Sequence, residues 1–179
     1  MSSLDRLARL RRLGTGLALA LSVAGLAACT EGLRPLYGKA SGSAAALSTV
    51  DIAAVQGRVG QQVRNELAFG FYGGAGEVTG RPAYRLELTV TSIDNAVGVE
   101  RYRNLPSAYV EQITATYALI DIASGATVTS GTSFANAAYD YSEQRFANVR
   151  AKRDAENRVA TAVAADIRNK LAVHFATQR

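Results

Sequence analysis

The C-terminal segment from Phe146 to Ala176 carries apolar residues at every fourth position. The stripe consists of Ala155, Val159, Val163, Ile167, Leu171 and Phe175. Because a spacing of four residues keeps side chains on one face of a helix, the segment predicts one long amphipathic α-helix. Such a stripe drifts around the helix axis, so we expect small residues to widen it: Ala160, Ala162, Ala164 and Ala172. Small side chains permit close packing, which indicates that the helix lies on a sheet.

The rest of the chain predicts four strands and a second helix. Alternating apolar and polar residues after Pro82 are typical of a strand with one buried face. The predicted elements are strands at Thr49–Gln56, Tyr84–Thr91, Ala108–Asp121 and Ala126–Tyr139, and helices at Arg58–Phe71 and Phe146–Ala176. We also expect a loop at Asp94–Ser107 and a hairpin turn at Asp121–Gly125.

This order of elements predicts the fold class. The expected architecture is α+β, with a four-stranded mixed or antiparallel sheet and two helices packed on one face, in the order β-α-β-β-β-α. The other face is polar, and it is either solvated or a surface that meets a partner or a ligand; it carries Arg85, Glu87, Thr89 and Thr91. The last strand alternates weakly and is rich in Thr and Ser, which indicates an edge strand or a surface facing a polar partner.

The N-terminus has the layout of a bacterial lipoprotein signal peptide. Four arginines precede an apolar stretch from Leu13 to Ala28, which Cys29 follows. This stretch is shorter and more interrupted than a spanning helix, which needs about 20 mostly apolar residues. Small residues before a cysteine suit the signal peptidase, so Cys29 is predicted to be the lipidated first residue of the mature protein. The alternative is an ordinary signal peptide with a cysteine near its end.

Three segments follow from this cleavage site. We expect a removed signal peptide at 1–28, a lipidated N-terminus and Gly/Ser/Ala-rich tether at 29–48, and a single α/β domain at 49–179. Adjacent arginines at Arg11-Arg12 leave twin-arginine export open beside the Sec route. Four arginines and one aspartate leave with the signal, which takes the formal net charge from +5 to +2. Nucleic acid is therefore not expected as a partner.

An apolar block interrupts the predicted tether at Gly32–Gly38. A linker has no need of such residues, so we expect the block to dock on a partner through Arg34, Pro35, Leu36 and Tyr37. The alternative is a chance apolar cluster in a tail.

Residue types that support catalysis are sparse. The sole histidine, His174, lies beside the apolar stripe, which is typical of a partly buried or capping imidazole. A zinc site needs several His or Cys ligands, and neither a nucleophile elbow nor a phosphate-binding glycine pattern occurs. The i,i+4 pairs Lys152–Glu156 and Asp154–Arg158 are expected on a solvated helix face. We therefore expect a binding or structural lipoprotein without metal or cofactor, and not an enzyme.

Blocks in the expected order resemble the alphaproteobacterial branch of the LPS-assembly lipoprotein LptE family. They are the Leu-Arg-Pro-Leu-Tyr-Gly run at 33–38, Arg58–Leu67, Asp154–Arg158 and Ile167–Ala172. The resemblance implies an α/β sandwich that plugs the outer-membrane barrel LptD, helps it fold, and assists delivery of lipopolysaccharide to the cell surface. Thr30 and Glu31 separate Cys29 from the first block, whereas the family often has the cysteine almost abutting it. Since Thr30 and not aspartate follows Cys29, we expect an outer-membrane anchor on the periplasmic face.

The expected ligand contacts are arginines. Arg101 and Arg103 in the loop between the middle strands can bind phosphates bidentately, and Arg81 and Arg85 are the second choice. The alternative is that both loop arginines are simply solvated. A second possible function is that of a lipoprotein accessory subunit in a periplasmic ABC-type lipid transport system. A secreted enzyme would need a catalytic dyad that the sequence does not contain.

Overall fold

A computed structural model describes residues 42–74, 78, 80–100 and 105–178. The elements in chain order are α1 (Ser43–Leu47), β1 (Val50–Ile52), α2 (Arg58–Tyr72), β2 (Tyr84–Glu100), β3 (Leu105–Asp121), β4 (Thr127–Asp140) and α3 (Arg145–Thr177). The strands form a four-stranded sheet in the order β1-β2-β3-β4, with β1 parallel to β2 and the other pairs antiparallel. The predicted α+β class with a mixed sheet is confirmed. No helix within the described residues combines the length and the apolar character needed to cross a membrane.

The hairpin formed by β2 and β3 is longer than the sequence indicated. Asp94–Ser107 was expected to be a loop, but β2 continues to Glu100 and β3 resumes at Leu105. The polar residues and Gly98 in this stretch resemble turn signals. From Asp94 to Val97 they remain extended because each pairs across the ladder, as Asp94 does with Glu111. Gly98 has a positive φ of 72° and no partner in the ladder, so the pairing is irregular between Val97 and Val99. The expected loop is therefore wrong at 94–100 and 105–107, and residues 101–104 lie outside the described residues.

Structure also begins earlier than expected. The segment assigned to the tether reaches Ser48, yet α1 lies within it, and both Ser43 and Leu47 are buried. The run Ser-Ala-Ala-Ala-Leu favours helix, and Leu47 anchors it in the core. Ser43–Leu47 is therefore part of the folded domain and not of the tether. β1 is shorter than the expected strand at Thr49–Gln56, because only its three residues pair with β2.

The core lies between one face of the sheet and the two long helices. The stripe of α3 is buried from Ala155 to Leu171, as predicted. Its sheet-side partners are Leu86, Ile113, Ala115, Tyr117 and Leu119, and α2 contributes Val63, Leu67 and Phe71. Burying side chains of this size contributes about 1.5–3 kcal/mol each. The opposite face of the sheet is polar and exposed at Arg85, Glu87, Thr89 and Thr91.

One of the four alanines predicted to widen the apolar stripe of α3 does not face the core. Ala162 is exposed, whereas Ala160, Ala164 and Ala172 are buried. Each residue advances about 100° around an α-helix. Alanines that follow a stripe residue therefore lie on the flank facing the core, while Ala162, which precedes Val163, lies on the other flank. The stripe is widened on one side only.

The ion pairs of α3 differ partly from the expected ones. Asp154 and Arg158 pair at 2.8 Å, as predicted. Lys152 and Glu156 do not pair with each other, which corrects the prediction. Lys152 contacts Asp94 of β2 at 2.9 Å, and Glu156 forms an ion pair with Arg58 of α2. Both side chains lie on flanks of α3 that face other elements, so partners across the interface replace the helical neighbour.

β4 is an edge strand, as its composition indicated, and α3 covers its outer margin with two cationic side chains. Lys170 Nζ donates to the carbonyl of Thr132 at 2.9 Å, and Arg158 Nη2 donates to the carbonyl of Ala138 at 3.1 Å. Two outward-facing carbonyls of the edge are thereby satisfied. The predicted hairpin turn before β4 is confirmed, with Asp121 accepting from both the backbone and the hydroxyl of Ser124.

Candidate functional site

Most of the residues predicted to form sites fall outside the described residues. These are Cys29, Arg34, Pro35, Leu36, Tyr37, Arg101 and Arg103. Arg81 and Arg85 are exposed near the start of β2, where Arg85 Nε lies 3.9 Å from Asp51 Oδ2. β2 runs on from Arg85 to Glu100, about 50 Å at roughly 3.3 Å per residue. The second-choice arginines are therefore far from the hairpin end that precedes residue 101.

A cleft of about 530 Å³ lies where α3 begins, against the far end of the sheet. It is lined by Asp94, Tyr109, Tyr139, Tyr141, Arg145, Asn148, Val149 and Lys152. Strand alternation explains this set, since successive side chains point to opposite faces. Asp94 follows the parity of buried Leu86, and Tyr109 follows that of buried Ile113, so both face the helices. The apolar core of the sheet thus gives way to polar residues towards the hairpin end.

Asp94 is the central hydrogen-bonding group of the cleft. Its Oδ2 accepts from the hydroxyl of Tyr139 at 2.7 Å and from Lys152 Nζ at 2.9 Å. Its other oxygen, Oδ1, is buried and has no hydrogen-bond partner among the described residues. Burial and the hydrogen bond to Asp94 raise the pKa of Tyr139 far above its usual value. Tyr139 therefore stays protonated and remains a donor to this carboxylate.

Tyrosine rings form one wall of the cleft. Tyr109 stacks on Tyr139 with ring centroids 5.7 Å apart and planes at 14°. Tyr141 lies at 55° to Tyr109, with centroids 5.2 Å apart, and 41% of it is exposed. Such contacts fix ring positions beyond simple burial. The wall is therefore ordered, with Tyr141 open to solvent at its outer end.

The connection between β4 and α3 is fixed by hydrogen bonds at the edge of the cleft. Asn148 Oδ1 accepts from the backbone N–H of Ser142 at 2.8 Å, and Asn148 Nδ2 donates to the Ser142 carbonyl at 2.7 Å. A side chain from the first turn of α3 thereby holds the residues that precede it. This positions Tyr141 and Arg145 on either side of the connection.

A second carboxylate lies next to Asp94. Glu111 is its direct cross-strand neighbour, is fully buried, and accepts a hydrogen bond from the hydroxyl of Ser92. Lys152 is the cation paired with this carboxylate pair, through Asp94. Within the described ranges, no group of three or more His, Cys, Asp and Glu residues is placed to hold a metal ion. The residues of the cleft interact with one another through hydrogen bonds and ion pairs.

Sequence reasoning missed this cleft because it assigned Asp94 to a loop and Lys152 to a helical pair. A signal was present: Tyr109 and Tyr139 lie at the ends of two predicted strands that neighbour each other, and they pair directly in the ladder of β3 and β4. His174, in contrast, is where it was expected, half-buried beside the stripe with its ring edge-on to Phe175.

Comparisons with known proteins agree on family and fold. A family model described as LptE, lipopolysaccharide-assembly, matches residues 47–171. A lipoprotein of Caulobacter crescentus CB15 has a similar structure, with 24% identity, a TM-score of 0.63, and coverage of 76% of this chain and 98% of that one. A minor lipoprotein of Acinetobacter baumannii (14% identity, TM-score 0.55) covers 69% and 90%, and rare lipoprotein B of Shewanella oneidensis (11%, 0.52) covers 69% and 93%. No curated protein sequence matches the chain.

Proposed function

Because the chain belongs to the LptE lipopolysaccharide-assembly family, we propose that it is an outer-membrane lipoprotein that plugs the LptD β-barrel and helps assemble it for lipopolysaccharide transport. Acylated Cys29 anchors it on the periplasmic face. The protein acts by binding and not by catalysis. The observation that carries this proposal is the family match, which spans nearly all of the described domain from Leu47 to Leu171.

The open face of the sheet supports a position inside a barrel. Threonines from three strands lie side by side on it, at Thr89, Thr116 and Thr132. The hydroxyls of Thr116 and Thr132 lie 3.5 Å apart. Lumen-facing side chains of large barrels are polar, so a hydroxyl-rich surface is well suited to contact them through hydrogen bonds and water.

Two segments outside the described residues have roles in this proposal. The block containing Arg34, Pro35, Leu36 and Tyr37 docks on the barrel or close to it, and Arg101 and Arg103 contact phosphates of lipopolysaccharide. Both segments flank described structure: the first precedes α1, and the second joins β2 to β3.

Affinity purification of the lipidated protein from outer membranes tests the proposal. We expect a large β-barrel to co-purify in stoichiometric amount and to be recovered from cells expressing a tagged wild-type chain. Recovery of an ATP-binding cassette complex, with no barrel, would instead identify the accessory subunit of a lipid transporter. A preparation that contains neither partner would contradict the plug proposal.

A further inference from the structure

One edge of the sheet has main-chain groups with which no described strand pairs. The N–H of Ala53 donates to the carbonyl of Leu86, so the peptide groups of Leu86 face β1. Peptide groups of successive strand residues point to opposite edges, and the pairing of β2 with β3 is regular from Tyr84 to Val97. Past the end of β1, five residues therefore direct their N–H and C=O groups away from β3: Leu88, Val90, Ser92, Asp94 and Ala96.

The outer margins of β1 and β4 are instead capped by side chains. On β1, the carbonyl of Val50 accepts from the hydroxyl of Tyr72 at 2.6 Å, and the carbonyl of Ile52 accepts from Arg64 Nε at 3.2 Å. On β4, two cationic side chains of α3 cap carbonyls in the same way. Within the part of the chain that the structure describes, no side chain caps the five outward-facing carbonyls of β2. The uncapped margin is therefore confined to β2.

This stretch of β2 also lacks the usual protection of an edge strand. Natural sheets commonly shield an edge with lysine, proline or a bulge. From Glu87 to Val97 the sequence has neither lysine nor proline, and the ladder with β3 is unbroken. Two large apolar side chains of the stretch are exposed on the open face, Ile93 by 52% and Val97 by 39%. A strand placed beside β2 would contact both, since cross-strand neighbours on one face touch each other.

The occupant that fits this edge is an extended polypeptide segment, because a main chain offers donors and acceptors at the spacing of alternate strand residues. In a closed barrel every wall strand is already paired on both sides. The segment therefore comes from a loop or terminus of the barrel chain that enters the lumen. Glu87 and Asp94 are the charged residues of the stretch, and both are acidic. The edge thus favours a neutral or basic segment over a second copy of β2.

We propose that the outer edge of β2 from Leu88 to Ala96 binds an extended segment of the partner barrel, which joins the sheet as a fifth strand. The inference rests on the proposed function for the identity of the partner. Main-chain hydrogen bonds hold the segment. Its side chains lie beside Leu88 and Val90 on the helical face of the sheet, and beside Thr91 and Ile93 on the open face.

Amide hydrogen exchange at single-residue resolution tests this pairing on the mature lipidated protein, alone in detergent and in its purified complex with the barrel. In the complex, the outward-facing amides from Leu88 to Ala96 should exchange at least about tenfold more slowly than in the free protein. The amides of Thr89, Thr91 and Ile93 are the internal control, since they face β3 and should be equally protected in both samples. Slowing confined to alternate residues locates the new protection at the outer edge.

The substitution Ala96→Pro supplies a second readout. Proline removes the outward N–H and is tolerated where that group faces away from the neighbouring strand. When a tagged variant and the untagged wild-type chain are expressed together, the share of barrel captured by Ala96→Pro should fall about threefold to tenfold, as expected for one lost main-chain hydrogen bond. Ala96→Val is the matched control because it keeps the N–H, and it should capture the wild-type share. Urea unfolding verifies that both variants are folded.

The inference is overturned if the outward-facing amides exchange as fast in the complex as in the free protein, or if the two folded Ala96 variants capture equal shares of barrel. Protection in the free protein that grows with its concentration would overturn it in favour of a second copy as the occupant. A barrel captured without new protection contradicts this inference alone. Failure of the wild-type chain to capture any barrel contradicts the proposed function, and the inference with it.

Discussion

The hydroxyl of Ser133, buried on β4, donates a hydrogen bond of 2.7 Å to Asp166 Oδ2 near the middle of α3. Asp166 also pairs with Lys170 at 2.6 Å, and Lys170 in turn contacts the carbonyl of Thr132. A continuous chain of contacts therefore joins the edge strand to the long helix. It supplements the apolar stripe with directional bonds, which fix how the helix lies along the strand.

Replacing Ser133 with alanine should destabilise the domain by about 1.5–3 kcal/mol, the usual cost of losing a hydrogen bond to a charged group. The midpoint of urea unfolding, followed by circular dichroism, measures this. Ser130→Ala is the control, since Ser130 is exposed on the same strand. Equal midpoints for the two variants would show that the Ser133 bond contributes nothing to stability.

The same aspartate should make stability depend on acid pH. Burial raises the pKa of Asp166, but the hydrogen bonds from Lys170 and Ser133 outweigh it and hold the pKa below its ordinary value of 3.8. A carboxylate with a lowered folded-state pKa stabilises the fold above its unfolded pKa, and that stability is lost as the pH falls through the folded pKa. The difference in unfolding free energy between wild type and Asp166→Asn should therefore be constant above about pH 4 and shrink as the pH falls below it. A difference that stays constant as the pH falls below about 4 would contradict the linkage.

A side chain at Gly131 should destabilise the domain because the ring of Tyr117 lies directly opposite it on β3. A Cβ at Gly131 would lie 3.0 Å from Tyr117 Cζ and 2.8 Å from its hydroxyl oxygen. Gly131→Ala should cost about 1–3 kcal/mol, the range for overpacking. In a Tyr117→Leu background the same change should cost less, which thermal unfolding of the four variants can measure as a double-mutant cycle. Additive effects would show that the ring does not restrict this position.

Replacing Cys29 with alanine should abolish acyl labelling and leave an uncleaved or soluble protein, because the thiol is the predicted acceptor of the diacylglyceryl group. Metabolic labelling with a radioactive fatty acid and fractionation of membranes measure both effects. The decisive comparison is made in cells depleted of the barrel partner. Normal membrane retention of the variant there would contradict lipid anchoring.

Changing Arg101 and Arg103 together to glutamate should weaken lipopolysaccharide binding while leaving the fold and barrel association intact. Repulsion replaces attraction at the phosphate, worth roughly a kcal/mol or more per desolvated contact. The double change Arg81→Glu with Arg85→Glu is the matched control, since it alters the same charge at the far end of β2. If only that control loses binding in a pull-down with purified lipopolysaccharide, the ligand contacts lie near the start of β2.

The regular elements could be predicted because their signals are periodic. In α3 the residues from Ala155 to Leu171, and in β2 the residues that alternate with Leu86, are buried on one face of the element, and this produces a periodic pattern in the sequence. The prediction failed where a residue contacts a partner far away in the sequence. Asp94 resembles a turn residue until Glu111 lies opposite it, and Lys152 resembles half of a helical pair until Asp94 contacts it.

The candidate site shows the same division. Cys29 could be predicted from its neighbours along the chain, because a signal peptidase recognises a linear motif. The cleft residues come from β2, β3, β4 and α3, and no local pattern joins them. Asp94 meets the tyrosines of β3 and β4 only because β2 extends into the expected loop, so the length of β2 had to be known before the site could be identified.

Lys170 and Arg158, which occupy carbonyls on the outer margin of β4, also determine how the sheet meets other chains. An incoming strand would have to displace both cations before it could add to that margin. On the other side of the sheet, β1 pairs only with Tyr84, Arg85 and Leu86, so beyond Leu86 the side of β2 that faces away from β3 has no neighbouring strand among the described residues. Addition of a strand from another chain is therefore hindered at the β4 edge of the sheet and is unhindered by such cations at the outer edge of β2. An extended segment that joins the sheet would have to pair with β2 beyond Leu86.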